Sequence, residues 1–242
     1  AVEVARKEKL NINFSSRSLY NYIHQYNYPI TCEQLPMKNK RKKDKKSSSA
    51  RLAHNNVKGD SIEKRPPEIN ERNEAGHWEM DLVVGAKGGK KVLLVLTERK
   101  TRYEYIVLLK DKSQKSVIQA LNKMERLYGA RLFRETFKSI TCDNGSEFLD
   151  SQSLEKSLFN KTNRTKLYYA HPFSSFERGS NENANRFIRR ILPKKTTFDT
   201  LTQNDINSMA EWMNRYPRRI FNGQSARTKA RIENLHFIKF AA

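Results

Sequence analysis

The chain has 242 residues and carries 47 lysines and arginines against 26 aspartates and glutamates, a formal net charge of +21 at pH 7. This excess predicts a polyanionic partner, most often nucleic acid. The longest apolar runs, 92–96 and 105–109, are far shorter than the roughly 20 residues that span a bilayer, and no signal-peptide pattern is present. Two cysteines supply neither a disulfide framework nor a zinc site, so we expect a reduced, cytoplasmic protein without a membrane partner.

The N-terminal residues 1–35 contain one predicted helix. Within 14–28, Leu19 and Ile23 recur at helical spacing after serines that can cap the helix. The other faces are polar and include Arg17, as in the recognition helix of a helix-turn-helix. We therefore interpret this region as a partial helix-turn-helix that binds DNA.

Residues 36–74 show no sustained periodicity and predict an extended, basic linker. Seven basic residues and one aspartate occur between positions 38 and 46. Such a run can follow a line of phosphates. The residues of this run that we expect to contact DNA are Lys40, Arg41, Lys42, Lys43, Lys45 and Lys46.

Regular structure is predicted from residue 75 to 242. Three apolar strands joined by short loops predict an antiparallel meander. Helices and further strands then alternate, and this order is typical of a ribonuclease-H-like mixed five-stranded sheet flanked by helices. The predicted elements are strands at 78–84, 92–97 and 103–109, a helix from about 113 to 129, a strand at 139–142, a helix at 151–160, a strand at 166–170, and helices at 180–192 and 203–216.

Three carboxylates are candidates for a metal site. Asp81 lies within the first strand, where a carboxylate among apolar neighbours is costly unless it is paired or binds a cation. Asp143 follows the fourth strand, in an Asp-Asn-Gly sequence that also suits an ordinary turn. The third candidate is Glu182, one turn inside a helix, with Glu177 in the preceding loop as the alternative.

The helix surface around Glu182 favours this residue. Asn185, Arg186 and Arg189 share its face, and an amide and guanidinium groups beside a carboxylate suit a surface that meets metal and phosphate. We therefore expect these three residues to contact DNA. Three carboxylates from separate elements can hold two Mg²⁺ or Mn²⁺ ions about 4 Å apart for an in-line displacement at phosphorus.

Four ordered motifs resemble the bacterial DDE transposases of the insertion-sequence-thirty family, which have an integrase catalytic core. Weaker similarities upstream and downstream extend the resemblance to about residues 17–222. The four motifs are Gly-His-Trp-Glu-Met-Asp-Leu at 76–82, Thr-Glu-Arg-Lys-Thr-Arg-Tyr at 97–103, Cys-Asp-Asn-Gly-Ser-Glu-Phe at 142–148 and Glu-Arg-Gly-Ser-Asn-Glu-Asn-Ala-Asn at 177–185.

The resemblance implies a ribonuclease-H-like catalytic domain over 75–242, with Asp81, Asp143 and Glu182 as its triad. It implies cleavage at the terminal inverted repeats of a transposable element and joining of the 3′ ends to target DNA. A homo-oligomer would hold two ends together in a bacterial cytoplasm, at the nucleoid when bound to DNA. Alternative interpretations are a catalytically impaired fragment that only binds DNA, and a related integrase or nuclease.

Overall fold

The computed structural model describes the residues 2, 5, 8–25, 29–31, 34–35, 59–172, 174, 177 and 179–237. The chain divides into two compact units. One comprises Ala1–Leu52 and Pro217–Gln224, and the other comprises Ala53–Tyr216 and Ser225–Ala242. Among the described residues, no helix is long and apolar enough to cross a membrane.

In the first unit, helix α1 spans Ser16–His24, so it is shorter than the predicted helix. It begins after Ser15, whose hydroxyl accepts a hydrogen bond from the backbone N–H of Ser18 at 3.0 Å. Ile23 is buried, whereas Arg17 is exposed. The basic run that contains Lys40, Arg41, Lys42, Lys43, Lys45 and Lys46 lies outside the described residues.

The second unit is built on a five-stranded sheet with the order β3-β2-β1-β4-β5. The first three strands form the predicted antiparallel meander, and β4 and β5 run parallel to β1. This topology confirms the predicted ribonuclease-H-like mixed sheet. The strands are β1 (His77–Val84), β2 (Val92–Glu98), β3 (Glu104–Leu109), β4 (Ser139–Cys142) and β5 (Lys166–Tyr169).

Helices cover the sheet, and the sequence predicts the longest of them closely. The predicted helix at 113–129 begins at a serine cap and ends at Gly129, whose φ of +74° favours glycine. The sequence pattern misses three short helices, at Glu68–Glu71, Ala130–Thr136 and Ala226–Ile232, because few turns leave little periodicity to detect. The helices of this unit are α2 (Glu68–Glu71), α3 (Gln114–Tyr128), α4 (Ala130–Thr136), α5 (Ser151–Glu155), α6 (Gly179–Ile191), α7 (Gln203–Arg215) and α8 (Ala226–Ile232).

Both faces of the sheet are buried, which explains why every residue of β2 is buried. On one face, Trp78 stacks on Tyr105 and Phe137, with ring centroids 5.5 and 4.7 Å apart, beneath α3 and α4. On the opposite face, Val83 packs in one cluster with residues of α6 and α7 such as Ile188 and Met213. Residues of β1 alternate between these two layers.

The segment from residue 59 to 74 differs from the extended linker that the sequence predicts. Ser61 bridges to Tyr169 of β5, and the backbone N–H of Tyr169 donates to the carbonyl of Asp60 at 2.9 Å. Arg65 is buried and donates to Thr141 Oγ1 of β4 at 2.9 Å. Polar contacts to residues far away in sequence hold this segment against the sheet edge, and such contacts leave no periodic pattern.

A fully buried ion pair gives a test of the packing around α3. Arg164 donates to Glu125 at 3.3 Å and to the carbonyl of Leu154 at 2.9 Å. Arg164→Met leaves the Glu125 carboxylate buried without its cation, so we expect the free energy of unfolding in urea to fall by about 3–5 kcal/mol. The matched control Arg131→Met removes an exposed partner of Glu135 and should have no measurable effect. Equal stability of the two variants would contradict a stabilising role for Arg164.

Candidate active site

Strand register brings Asp81 and Asp143 to the same level of the sheet. Strands β1 and β4 are parallel, and Glu79 is opposite Thr141. Asp81 lies two residues after Glu79, and Asp143 lies two residues after Thr141. Strand β4 ends at Cys142, so Asp143 directly follows it, and the register continued by two residues sets Asp143 opposite Asp81 at the carboxyl end of β4. We refer to them as the acidic pair.

Helix α6 supplies a polar partner to the acidic pair. The side-chain amide nitrogen of Asn185 donates to Asp81 Oδ2 at 2.8 Å. The other amide atom, Asn185 Oδ1, is buried and accepts no hydrogen bond from the described residues. An oxygen without a donor, next to a carboxylate, is an arrangement that a cation satisfies.

A further carboxylate, Glu147, lies beside Asp143 and is absent from the predicted site. The backbone N–H of Gly145 donates to Asp143 Oδ1 at 3.0 Å. A Cβ atom at Gly145 would lie 2.9 Å from both Asp143 Oδ1 and Glu147 Oε1, so the two carboxylates lie on either side of this glycine and would have to shift for a larger residue. Glu147 is buried and pairs with Lys112 at 3.4 Å. Its closeness to Asp143 comes from the turn, which spacing alone does not reveal.

The two candidates for the third carboxylate have different partners. Glu182 lies in the first turn of α6, and its side chain is 52% exposed and paired with Arg186 at 2.7 Å. Glu177 accepts hydrogen bonds from the backbone N–H and the Nδ1 of His171, at 2.9 and 2.8 Å. Within the part of the chain that the structure describes, no three Asp, Glu, His or Cys side chains are grouped to hold a metal ion.

The residues predicted to bind DNA from α6 contact the site and the sheet. Asn185 binds Asp81, and Arg186 binds Glu182. Arg189 donates from Nη2 to the carbonyl of Val84 at 2.7 Å. The remaining predicted DNA contact that the structure describes, Arg17, belongs to the other unit.

From the sequence we do not assign Glu79 to the catalytic residues, and the structure shows which groups it contacts. Its fully buried carboxylate accepts from Arg99 Nη1 at 3.0 Å and from the backbone N–H of Asn181 at 3.0 Å. With its amide oriented to satisfy its neighbours, Asn181 also donates to Thr97 Oγ1 at 2.7 Å. Glu79 therefore fixes the beginning of α6 over β1. The alternation that places Glu79 on the face of Asp81 is the sequence signal for this role.

The five-stranded mixed sheet, with Asp81 in β1 and Asp143 directly after β4, is consistent with an integrase core fold. Residues 71–175 match the family of that description, the integrase core domain.

Relatives over most of the chain are transposases of insertion sequences. The chain is 39% identical over 214 residues to the probable transposase for insertion-like sequence element IS1161 of Streptococcus salivarius, covering 88% of this chain and 57% of that protein. It is 38% identical over 165 residues to the transposase InsI for insertion sequence element IS30A of Escherichia coli (strain K12), covering 68% of this chain and 40% of the relative.

A third relative is the transposase for insertion sequence element IS1086 of Cupriavidus metallidurans, 32% identical over 166 residues, which are 68% of this chain and 46% of that protein. The predicted resemblance to the insertion-sequence-thirty transposases is thereby confirmed. The chain spans roughly half the length of these relatives.

The contact between Glu177 and His171 predicts a measurable titration. The Glu177 carboxylate raises the pKa of His171 above its ordinary value of 6.5. The contribution of this ion pair to stability is thus complete below that value and disappears as the pH rises through the raised pKa. In Glu177→Gln, the pKa of His171, followed by NMR of its ring protons, should fall toward 6.5.

Glu182→Gln is the matched control for that titration and should leave the pKa of His171 unchanged. If Glu182→Gln lowered the pKa of His171 as much as Glu177→Gln, the assignment of Glu177 as the partner of His171 would be incorrect.

Proposed function

We propose that this chain is the catalytic part of a DNA transposase that cuts the terminal inverted repeats of an insertion element and joins their 3′ ends to target DNA. The observation that supports this proposal is the parallel register of β1 and β4, which sets Asp143 opposite Asp81 when it is continued two residues past Glu79 and Thr141, in a chain that matches the integrase core domain. Phosphodiester cleavage by in-line displacement needs carboxylates arranged in this way to hold divalent cations.

The atoms around the acidic pair fit a hard cation such as Mg²⁺ or Mn²⁺. Both carboxylates offer oxygen, and the buried Asn185 Oδ1 has no donor among the described residues. Magnesium and manganese prefer such oxygen ligands. We propose two ions, which when bound would activate the attacking oxygen and stabilise the leaving oxygen at phosphorus.

We propose Glu182 as the third carboxylate. It lies on α6 one turn before Asn185, which is already in contact with Asp81. Its partner Arg186 is exposed, and an exposed ion pair of this kind contributes little free energy, so the Glu182 side chain is free to turn toward a cation. Glu177 is held by two hydrogen bonds to His171. Arg186 and Arg189 would then face DNA phosphates.

The rest of the chain is proposed to bring DNA to this site. Residues 1–35 would bind DNA as a partial helix-turn-helix through Arg17, and the basic residues of 36–74 would bind phosphates along the path to the domain at 75–242. The substrate is DNA of the element ends and of the target. Since two ends must be joined in one event, we propose a homo-oligomer acting in the bacterial cytoplasm, at the nucleoid.

Substitution of each carboxylate tests the site. With labelled DNA that carries the element ends and with Mg²⁺ or Mn²⁺, Asp143→Asn and Glu182→Gln should each lower cleavage by more than about 100-fold, because each removes an oxygen ligand charge. Glu177→Gln is the matched control and should retain most activity. None of the variants should lose affinity for the DNA, because each removes a negative charge and no positive one.

Three results would contradict parts of this proposal. Unchanged cleavage by Asp143→Asn would exclude the acidic pair as the metal site. Full activity of Glu182→Gln together with loss of activity in Glu177→Gln would identify Glu177, and not Glu182, as the third carboxylate. DNA binding without cleavage by the unaltered chain would favour the interpretation of a binding protein without catalysis.

A further inference from the structure

A pocket lined by three arginines lies in the second unit, apart from the acidic pair. Its volume is about 360 Å³. Two of the arginines come from the segment that packs on the sheet edge, and the third follows β2. The lining residues are Ile62, Arg65, Asn70, Arg72, Arg99 and Glu177.

Two of these arginines are buried with hydrogen-bonding capacity left over. Arg65 is 7% and Arg99 is 4% exposed. Arg65 donates through its terminal nitrogens to Thr141 and Asn70, and Arg99 donates to Glu79. The Nε–H group of each is buried and has no acceptor among the described residues. A buried donor without an acceptor is costly, so both guanidinium groups keep capacity for an additional acceptor.

The charges around the pocket are also unbalanced. The lining holds three arginines and one glutamate, Glu177, whereas Glu79 and Glu98 act on Arg99 from outside the lining. Burial, and next the positive charge of Arg99, lower the pKa of Arg65 to about 10. Burial also lowers the pKa of Arg99; the carboxylate of Glu79 opposes this effect, and the positive charge of Arg72 adds to it. These like charges repel one another, and an anion between them would relieve the repulsion.

The strand residues that bind the arginines of the pocket lie two positions before the acidic pair. Arg65 binds Thr141, which lies two residues before Asp143 on β4. Arg99 binds Glu79, which lies two residues before Asp81 on β1. Two residues of a strand span about 7 Å. The anchors of the pocket and the acidic pair therefore share one face of the same two strands.

We propose that Arg65, Arg72 and Arg99 bind one backbone phosphate of the DNA strand on which the acidic pair acts. The planar guanidinium group matches the oxygens of a phosphate and stays charged when buried. A contact of this kind carries no sequence information and instead fixes the position of the strand. This inference rests on the proposed function, and it adds a positioning site for the substrate.

Arg72→Asn is the variant that tests the pocket. Arg72 is only half-buried, so its removal leaves the core intact, and asparagine tolerates the positive φ of 59° at this position. Arg131→Gln, an exposed arginine of α4 paired with Glu135, is the matched control because it loses the same charge. The probe is a duplex that carries the element ends, in which one phosphate at a time is replaced by a neutral methylphosphonate.

With the unaltered chain, one methylphosphonate position near the cleavage site should weaken binding, measured by fluorescence anisotropy, by several-fold. In Arg72→Asn the same replacement should have almost no further effect, because the phosphate has already lost its partner. The slope of log affinity against log salt should also become shallower by about 0.9 in Arg72→Asn. Arg131→Gln should keep both the position-specific loss and the slope.

Two other results would each overturn the inference. One is retention of the full methylphosphonate effect by Arg72→Asn. The other is the lack of a methylphosphonate effect at every position, as expected if the pocket took only free phosphate ions. In either case the pocket would not bind DNA, while metal-dependent cleavage by the unaltered chain would still support the proposed function. A chain that neither binds nor cuts element-end DNA would overturn both.

Discussion

The buried carboxylate of Glu79 is the contact on which the arrangement of the site depends. A carboxylate withdrawn from water requires compensating partners, and Glu79 has Arg99 and the backbone N–H of Asn181. Because that N–H belongs to the first turn of α6, the negative charge also lies where the helix dipole favours it. The Glu79 side chain of β1 thus fixes both the position of Arg99 and the start of α6.

Helix α6 runs in the same direction as β1. The position of its first turn therefore determines which of its residues contact the site. Two strand residues and four helix residues each advance by about 6–7 Å. From the contact of Asn181 with Glu79, one helical turn therefore brings Asn185 to Asp81, and a further turn brings Arg189 to the carbonyl of Val84. Because the rise of one helical turn matches that of two strand residues, the side-chain amide of Asn185 lies next to Asp81.

The sequence predicts those parts of this arrangement that depend on local periodicity. All five strands and the longer helices follow from apolar patterns, because both faces of the sheet are buried. The closeness of Asp81 and Asp143 is expected from their places in parallel strands. Contacts such as that of Arg65 with Thr141, 76 residues apart, carry no periodic signal. The pairing of Glu182 with Arg186 agrees with their predicted place on one helix face, whereas the pairing of Glu177 with His171 lies in a loop without periodicity and is visible only in the structure.

Arg99 and Arg65 bind Glu79 of β1 and Thr141 of β4, and each of these residues is followed two positions later by an aspartate. A protein that only attracted DNA would need positive charge throughout, as the net charge of +21 supplies at long range. Asp81 and Asp143 repel a phosphate unless cations stand between them, whereas Arg65 and Arg99, one step away, attract a phosphate directly. A polymer with phosphates at regular intervals can place one phosphate at the arginines and another at cations held by the aspartates. The contrast between neighbouring steps is therefore what the proposed function, cleavage of a DNA strand, requires beyond DNA binding alone.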